Sequence, residues 1–204
     1  MTIEIGILAI QGDVQENILS TKAALEELGI EGNVKSVKDP KEISKLDGLI
    51  IPGGESTTIG QLSLVNGSLK KIKERIEDGM PVLGICAGMI MLSKTADDRL
   101  IGKTSQPLLE YFDIKLERNS FGRQRDSFEA KVSMDPISIS NFDAVFIRAP
   151  SISEVGTDVQ IISKFDDKIV AVKKGNVIGT SFHPELTPDL SLHKYFVNLV
   201  KQAI

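Results

Sequence analysis

Residues 82–88 read Val-Leu-Gly-Ile-Cys-Ala-Gly and contain the only cysteine of the chain, Cys86. The apolar residues before Cys86 are typical of a buried strand, and a helical pattern follows it. Gly84 and Gly88 permit a sharp turn that projects the cysteine out of the fold. A helix N-terminus favours a thiolate at such a turn. We therefore interpret Cys86 as a nucleophile; the alternative is a small buried hydrophobic residue, as for most lone cysteines.

Strand and helix patterns alternate through the first half of the chain. Apolar or nearly apolar runs of strand length lie at residues 3–10, 48–51 and 82–85, and residues 33–37 predict a further short strand. Asp13 with Glu16 predicts a capping box at the start of the first helix, and Ser68 predicts the cap of a later helix. The alternation predicts an α/β fold of parallel strands joined by helical crossovers, with its active site at the carboxyl ends of the strands.

In the second half of the chain, the sequence pattern predicts strands with little helix between them. These strands are expected at residues 112–117, 128–133, 144–148, 159–165, 169–173 and 177–182. Asp166-Asp167 and Gly175-Asn176 predict hairpin turns, which indicates antiparallel additions to the sheet. Thr187-Pro188 predicts the start of a C-terminal helix. We see no linker or repeat, so we expect a single domain over residues 1–204.

Composition narrows the class of protein. The chain has 204 residues, of which 41% are hydrophobic and 25% charged, as in an ordinary globular protein. The net charge of −4 argues against general nucleic-acid binding. One cysteine and no signal-peptide pattern predict a reducing, cytoplasmic setting. The longest apolar run, residues 82–92, is too short for a membrane helix. Two histidines and one cysteine without clustered spacing predict no metal site.

A base and its orienting group follow the last predicted strand. In His183-Pro184-Glu185, residues two apart on extended backbone face the same way. Glu185 is thereby placed to hold one ring nitrogen of His183 while the other faces Cys86, which predicts a Cys-His-Glu triad. The alternative is a hydrogen-bonded histidine at a strand end. His193, inside the predicted C-terminal helix, is interpreted as structural.

Backbone donors for an oxyanion are predicted near the cysteine. Gly53 and Gly54 end a neighbouring strand and can present N–H groups, and the N–H of Ala87 is the second natural donor. The alternative for these glycines is a simple strand-to-helix turn.

Five segments together closely resemble the glutaminase subunit of pyridoxal 5′-phosphate synthase. They are residues 52–58 (PGGESTT), 84–88 (GICAG), 117–124 (ERNSFGRQ), 146–150 (FIRAP) and 181–185 (SFHPE). The cysteine turn and His-Pro-Glu indicate only a class I glutamine amidotransferase, and the third and fourth segments narrow the resemblance. Two small departures are Ile85, where many relatives carry Thr, and Glu110, where a Leu-Gly turn is common.

The resemblance implies a three-layer, flavodoxin-like class I glutamine amidotransferase fold with a mixed central sheet. It also implies hydrolysis of L-glutamine to glutamate and ammonia through a thioester on Cys86. His183 would shuttle protons and Glu185 would orient it. No cofactor is expected. Glutamine binding would fall to Gly53, Gly54, Glu55, Arg118, Ile147 and Arg148.

The same resemblance implies a partner. Ammonia would pass to a separate synthase subunit, which condenses it with ribose 5-phosphate and glyceraldehyde 3-phosphate within a large hetero-oligomer. Docking would complete the oxyanion hole, with Gln11 close to the contact. Two alternatives are the glutaminase of another amidotransferase and a noncatalytic regulatory module of the same fold.

Overall fold

The computed structural model describes residues 2–98, 102–103, 105–121 and 127–204. The strands are β1 (Ile3–Leu8), β2 (Gly32–Val37), β3 (Gly48–Ile51), β4 (Val82–Ile85), β5 (Ser93–Asp98), β6 (Gly102–Lys103), β7 (Phe112–Arg118), β8 (Ser127–Met134), β9 (Ile139–Ile147), β10 (Ser151–Val155), β11 (Gln160–Phe165), β12 (Lys168–Lys174) and β13 (Val177–Thr180). The helices are α1 (Val14–Leu28), α2 (Pro40–Ile43), α3 (Ser56–Asn66), α4 (Ser68–Glu77), α5 (Ala87–Leu92) and α6 (Ser191–Ala203). Short 3-10 turns cover Asp135–Ile137 and Pro184–Leu186.

A mixed sheet forms the centre of the described part of the chain. Its strand order is β2-β1-β3-β4-β13-β12-β10-β7-β5-β6, and β11 pairs with β12. Five neighbouring strands, β2-β1-β3-β4-β13, are parallel to one another. Their order is the flavodoxin-like order 2-1-3-4-5. The antiparallel pairs β11–β12 and β12–β13 are joined at the two predicted hairpin turns, and β10 adds a further antiparallel pair with β12. β8 and β9 form a separate antiparallel hairpin.

Two hydrophobic cores cover the two faces of this sheet. Along β3, Ile50 packs into one core with residues of α1, α6 and the β8–β9 hairpin. Its neighbours Leu49 and Ile51 pack into the other core with residues of α2, α3, α4 and α5. Successive side chains of a strand point to opposite faces, so a strand covered on both faces is apolar throughout. This arrangement is the predicted three-layer α/β fold.

Several predicted helix boundaries were wrong. Asp13 precedes α1 without capping it, so the predicted capping box is absent. The C-terminal helix begins at Ser191, because Thr187 Oγ1 accepts the N–H of Asp189 and the Asp189 side chain accepts that of Ser191. Ser68 is the first residue of α4, and Gly67 is its cap.

Some elements were not predicted, namely α3, β5, β6 and β10. Part of the ERNSFGRQ segment, residues 122–124, lies outside the described residues. Within the described ranges, no helix is long and apolar enough to cross a membrane.

His193 is a fully buried residue of α6. Neither ring nitrogen has a hydrogen-bond partner among the described residues. Burial lowers the pKa of His193 from its ordinary value of 6.5 to about 4. The imidazole is therefore neutral in the folded protein at pH 7, which agrees with its interpretation as structural.

We expect His193 to weaken the fold in mild acid. Between its two pKa values the unfolded chain binds a proton at His193 and the folded chain does not, so stability falls as the pH drops. Between about pH 7 and about pH 5, the free energy of unfolding should fall by about 2 kcal/mol more in the wild-type chain than in His193→Leu. Urea unfolding at the two pH values measures this loss. Phe196→Leu, in the same helix, should keep the wild-type pH dependence; an unchanged dependence in His193→Leu would contradict the assignment.

Candidate active site

Five parallel strands end at one edge of the sheet, and the loops after four of them, β1, β3, β4 and β13, meet there. A cavity of about 310 Å³ opens at this edge. Its lining comprises Gln11, Asp13, Gly54, Glu55, Ser56, Cys86, Ile90, Arg118, Asn119, Ile147, Arg148 and His183. The structure therefore brings most of the predicted site residues into one cavity, as expected for the carboxyl ends of parallel strands.

Cys86 sits on a strained turn between β4 and α5. Its φ is 49°, a left-handed value that a residue with a side chain rarely adopts. The Cys86 N–H donates to Thr180 O at 2.7 Å, which ties the turn to the end of β13. Gly88 approaches β3 so closely that a Cβ there would lie 2.0 Å from Ile51 O. The glycine is therefore required by close packing of α5 on the sheet.

His183 connects the cysteine to a buried carboxylate. Its Nδ1 lies 2.8 Å from Glu185 Oε1, and the Glu185 side chain is fully buried. This bond leaves Nε2 as the ring nitrogen available to Cys86. Burial of the ring opposes its protonation, but hydrogen bonds with Cys86 and Glu185, and their charges, outweigh it and raise the pKa of His183 to about 10. The arrangement stabilises an imidazolium beside the thiol.

The backbone beyond His183 differs from the prediction. His183 itself is extended, but Pro184–Leu186 form a 3-10 turn rather than continuing the strand. The predicted contact between Glu185 and His183 Nδ1 is present. It is made across a 3-10 turn and not along an extended strand.

The glycines after β3 are crowded by other site residues. A Cβ on Gly53 would lie 2.4 Å from His183 Cε1, and one on Gly54 would lie 2.5 Å from Gln11 Oε1. The same Gln11 Oε1 accepts the Glu55 N–H at 2.7 Å. Ala87 is the first residue of α5, so its N–H belongs to the turn that has no acceptor within the helix. The oxyanion role of Gly54 and Ala87 stays a prediction.

Glu55 performs a structural task that the sequence did not indicate. Its carboxylate caps α3 by accepting the N–H groups of Thr57 at 3.1 Å and Thr58 at 2.7 Å. Burial alone would raise the pKa of Glu55. The hydrogen bonds from these N–H groups and from the Thr58 hydroxyl outweigh burial and lower the pKa to about 2. Arg118 Nη2 donates to Glu55 Oε1 at 3.1 Å. The cavity therefore holds a carboxylate and a guanidinium as a fixed pair.

Gln106 was missed because no motif surrounds it. Its Oε1 accepts from Ser56 Oγ at 3.1 Å and Thr57 Oγ1 at 3.0 Å, and Arg118 Nη1 lies 3.4 Å away. Arg118 Nη1 also donates to Thr57 Oγ1 at 3.2 Å. Gln106 thus joins the start of α3 to Arg118, a contact between distant parts of the chain that only the fold reveals.

Ile147 and Arg148 reach the cavity from the end of β9. Arg148 has a φ of 43°, which turns the chain sharply there. The next carbonyl, Ala149 O, accepts the Ser120 N–H at 3.1 Å and holds this turn against the residues after β7. The two predicted segments, around Arg118 and around Arg148, are therefore neighbours.

Asp13 was predicted only as a helix cap, but its side chain faces the site. Its Oδ2 lies 3.5 Å from His183 Nδ1. The ligand atoms of Asp13, His183 and Glu185 lie within 4.8 Å of one another. We interpret the group as a hydrogen-bonded base rather than a metal site, because the 2.8 Å contact of His183 with Glu185 has the length of a hydrogen bond. The available signal for Asp13 was its place in the loop that joins a buried parallel strand to the next helix.

Comparison with known proteins agrees with this geometry. The SNO glutamine amidotransferase family matches residues 7–202. The chain is 65% identical over 203 residues to "Pyridoxal 5′-phosphate synthase subunit PdxT" of Nitrosopumilus maritimus, covering 100% of this chain and 99% of that protein. It is 49% identical over 200 residues to the protein of the same name from Pyrococcus furiosus, covering 97% and 99%.

Solved structures give the same result. A crystal structure of a glutamine amidotransferase superposes with a TM-score of 0.84 at 40% identity and covers 97% of this chain and 98% of that one. A second, from Thermotoga maritima, has a TM-score of 0.61 at 12% identity, covers 100% of this chain and 86% of its own, and supports the fold alone. Since the family match extends over nearly the whole sequence, the chain belongs to the SNO glutamine amidotransferase family.

Proposed function

We propose that this chain is the glutaminase subunit of a pyridoxal 5′-phosphate synthase and hydrolyses L-glutamine to glutamate and ammonia. The observation that carries the proposal is the position of Cys86 on a strained turn beside His183, whose other ring nitrogen binds the buried carboxylate of Glu185. Nucleophile, base and orienting group are the parts that acyl transfer requires. The names of the curated relatives support the assignment to this synthase.

The reaction follows from the geometry. The Cys86 thiolate attacks the amide carbon of glutamine, and the N–H groups of Gly54 and Ala87 stabilise the negative oxygen that develops. The protonated His183 gives its proton to the leaving nitrogen, so ammonia departs and a glutamyl thioester remains. His183 then takes a proton from water, which attacks the thioester. Glutamate leaves, and Cys86 is restored.

Recognition of glutamine is assigned to Gly53, Gly54, Glu55, Arg118 and the Ile147-Arg148 segment. Glutamine carries an ammonium and a carboxylate, which are complementary to an acidic side chain and a guanidinium. Glu55 and Arg118 are 3.1 Å apart at the cavity and supply these charges. The low pKa of Glu55, near 2, keeps its carboxylate ionised at any working pH.

We further propose that a separate synthase subunit receives the ammonia in the cytoplasm, within a hetero-oligomer. This chain would need no cofactor and would act as one domain. Gln11 is the proposed site of control, because its Oε1 holds the Glu55 N–H beside Gly54. A partner that moves this side chain would rearrange the backbone that includes the proposed oxyanion donor.

Glutamine hydrolysis should depend on the partner. We expect weak glutamate release from the chain alone and at least about tenfold more when a pyridoxal-phosphate synthase subunit is added, since oxyanion donors each contribute 10²–10³ in rate. Release is measured with Cys86→Ala as the blank. Activity indifferent to this subunit would retain the glutaminase and reject the synthase assignment; no release in any mixture would favour the regulatory module.

Replacement Glu185→Gln should lower kcat at least about 100-fold, because the amide cannot hold His183 in the same tautomer or stabilise its charged form. The alkaline limb of the pH profile should also move to lower pH, since Glu185 raises the pKa of His183. Steady-state kinetics across pH measure both effects. Glu154→Gln, which changes an exposed carboxylate of β10 away from the cavity, is the matched control. Wild-type kcat in Glu185→Gln would remove Glu185 from the mechanism.

Replacement Arg118→Lys should raise KM for glutamine about tenfold with a smaller change in kcat, because an ammonium cannot reproduce the two-pronged contact of a guanidinium. The comparison is Arg75→Lys, whose guanidinium donates to Leu46 O away from the cavity. An unchanged KM would show that Arg118 does not bind the substrate carboxylate.

A further inference from the structure

The side chain of Asp13 makes no capping hydrogen bond with the helix that follows it. Asp13 precedes α1, where an aspartate ordinarily accepts N–H groups of the first turn. Its backbone instead fixes its place: the Asp13 N–H donates to Gly53 O at 3.2 Å, and the Asn17 side chain donates to Asp13 O at 2.8 Å. The carboxylate is therefore held at the cavity by contacts that do not involve its own oxygens.

The carboxylate of Asp13 meets His183 across Gly53. A Cβ on Gly53 would lie 2.9 Å from Asp13 Oδ2 and 3.0 Å from His183 Nδ1. Only a glycine leaves room for both groups at this position. Asp13 Oδ2 is 3.5 Å from His183 Nδ1, and its side chain is 43% exposed, whereas that of Glu185 is fully buried.

The distances separate the tasks of the two carboxylates. Nδ1 carries one proton, and the 2.8 Å contact assigns it to Glu185. Asp13, at 3.5 Å, is too far for a strong hydrogen bond, but an opposite charge at this distance still favours the imidazolium. Cys86 lies on the other side of the ring, and the further charged groups lining the cavity are Glu55, Arg118 and Arg148. Asp13 is thus the acidic side chain of the cavity lining that lies at His183 Nδ1.

We propose that Asp13 is a positioning residue for the proposed reaction: a second carboxylate that acts through His183 by stabilising its imidazolium form. The imidazolium forms when Cys86 transfers its proton to His183, and it is consumed when ammonia leaves. Asp13 favours the thiolate–imidazolium pair before attack. The inference rests on the proposed function for its effect on hydrolysis, but the pairing with His183 is a property of the free chain.

Histidine NMR tests the pairing without substrate or partner. The chain has two histidines, and burial lowers the pKa of His193 to about 4, so a signal that titrates at higher pH belongs to His183. In the Cys86→Ala background, which removes coupling to the thiol, Asp13→Asn should lower the pKa of His183 by roughly half to one unit. Glu16→Gln, an exposed charge change in the first turn of α1, should leave the pKa of His183 unchanged. An equal pKa in the presence and absence of the Asp13 carboxylate would overturn the proposal.

Kinetics of the complex with the synthase subunit provide the second readout. Asp13→Asn should lower kcat/KM for glutamine roughly three- to tenfold and move the alkaline limb to lower pH, and Asp13→Glu should recover part of both. A loss of rate without movement of the limb would make Asp13 merely structural and reject the proposal. If the wild-type complex does not hydrolyse glutamine, the proposed function fails, whereas the NMR shift still decides whether Asp13 and His183 are paired.

Discussion

The parallel pairing of β4 with β13 is the constraint on which the site depends. Its register places Ile85 opposite Thr180, so Cys86 and the residues leading to His183 leave the sheet side by side. The bond from Cys86 N–H to Thr180 O fixes this relation at the last residue of the strand. A slip of one residue would send every side chain of β13 to the opposite face. Apolar cores on both faces oppose such a slip, so the energy of the core also determines the geometry of the proposed nucleophile and base.

Close backbone packing gives the site its second property. A Cβ on Gly12 would lie 1.7 Å from Gly53 O, and one on Gly88 would lie 2.0 Å from Ile51 O. The loops after β1 and β3 and the turn after β4 therefore touch through their main chains, with no side chain between them. Residues that follow three different strands reach one cavity because glycines leave no side chain between these backbones. The loop after β1 therefore lies in direct backbone contact with the loop after β3.

The sequence predicted those parts of the fold that local patterns determine. The runs at β3 and β4 are apolar throughout, and the run at β1 is interrupted only by Glu4. Both faces of these strands are covered, and the strands were recognised for that reason. Helix α3 was missed because its cap is Glu55, whose long side chain is unusual at that position.

The site residues Cys86, His183 and Glu185 were predicted from short sequence motifs. Asp13 and Gln106 depend on contacts between distant segments, which periodicity does not encode. Glu110 adopts a φ of 57°, a left-handed value that favours glycine, which agrees with the Leu-Gly turn that the resemblance implied at this position.

The charges of the cavity are arranged before any substrate enters. Glu55 is anchored by the N–H groups of α3, and Arg118 by Thr57 and Asp98 as well as by Glu55 itself. Each charge thus keeps its place when the contact between the two is loosened. A free amino acid brings an ammonium and a carboxylate that can replace this contact with two new ones. A glutamine within a peptide lacks both charges and would leave the pair unaltered. Under the proposed assignment of Glu55 and Arg118 to glutamine recognition, the anchored ion pair would select free glutamine over peptide-bound glutamine before any chemistry at Cys86.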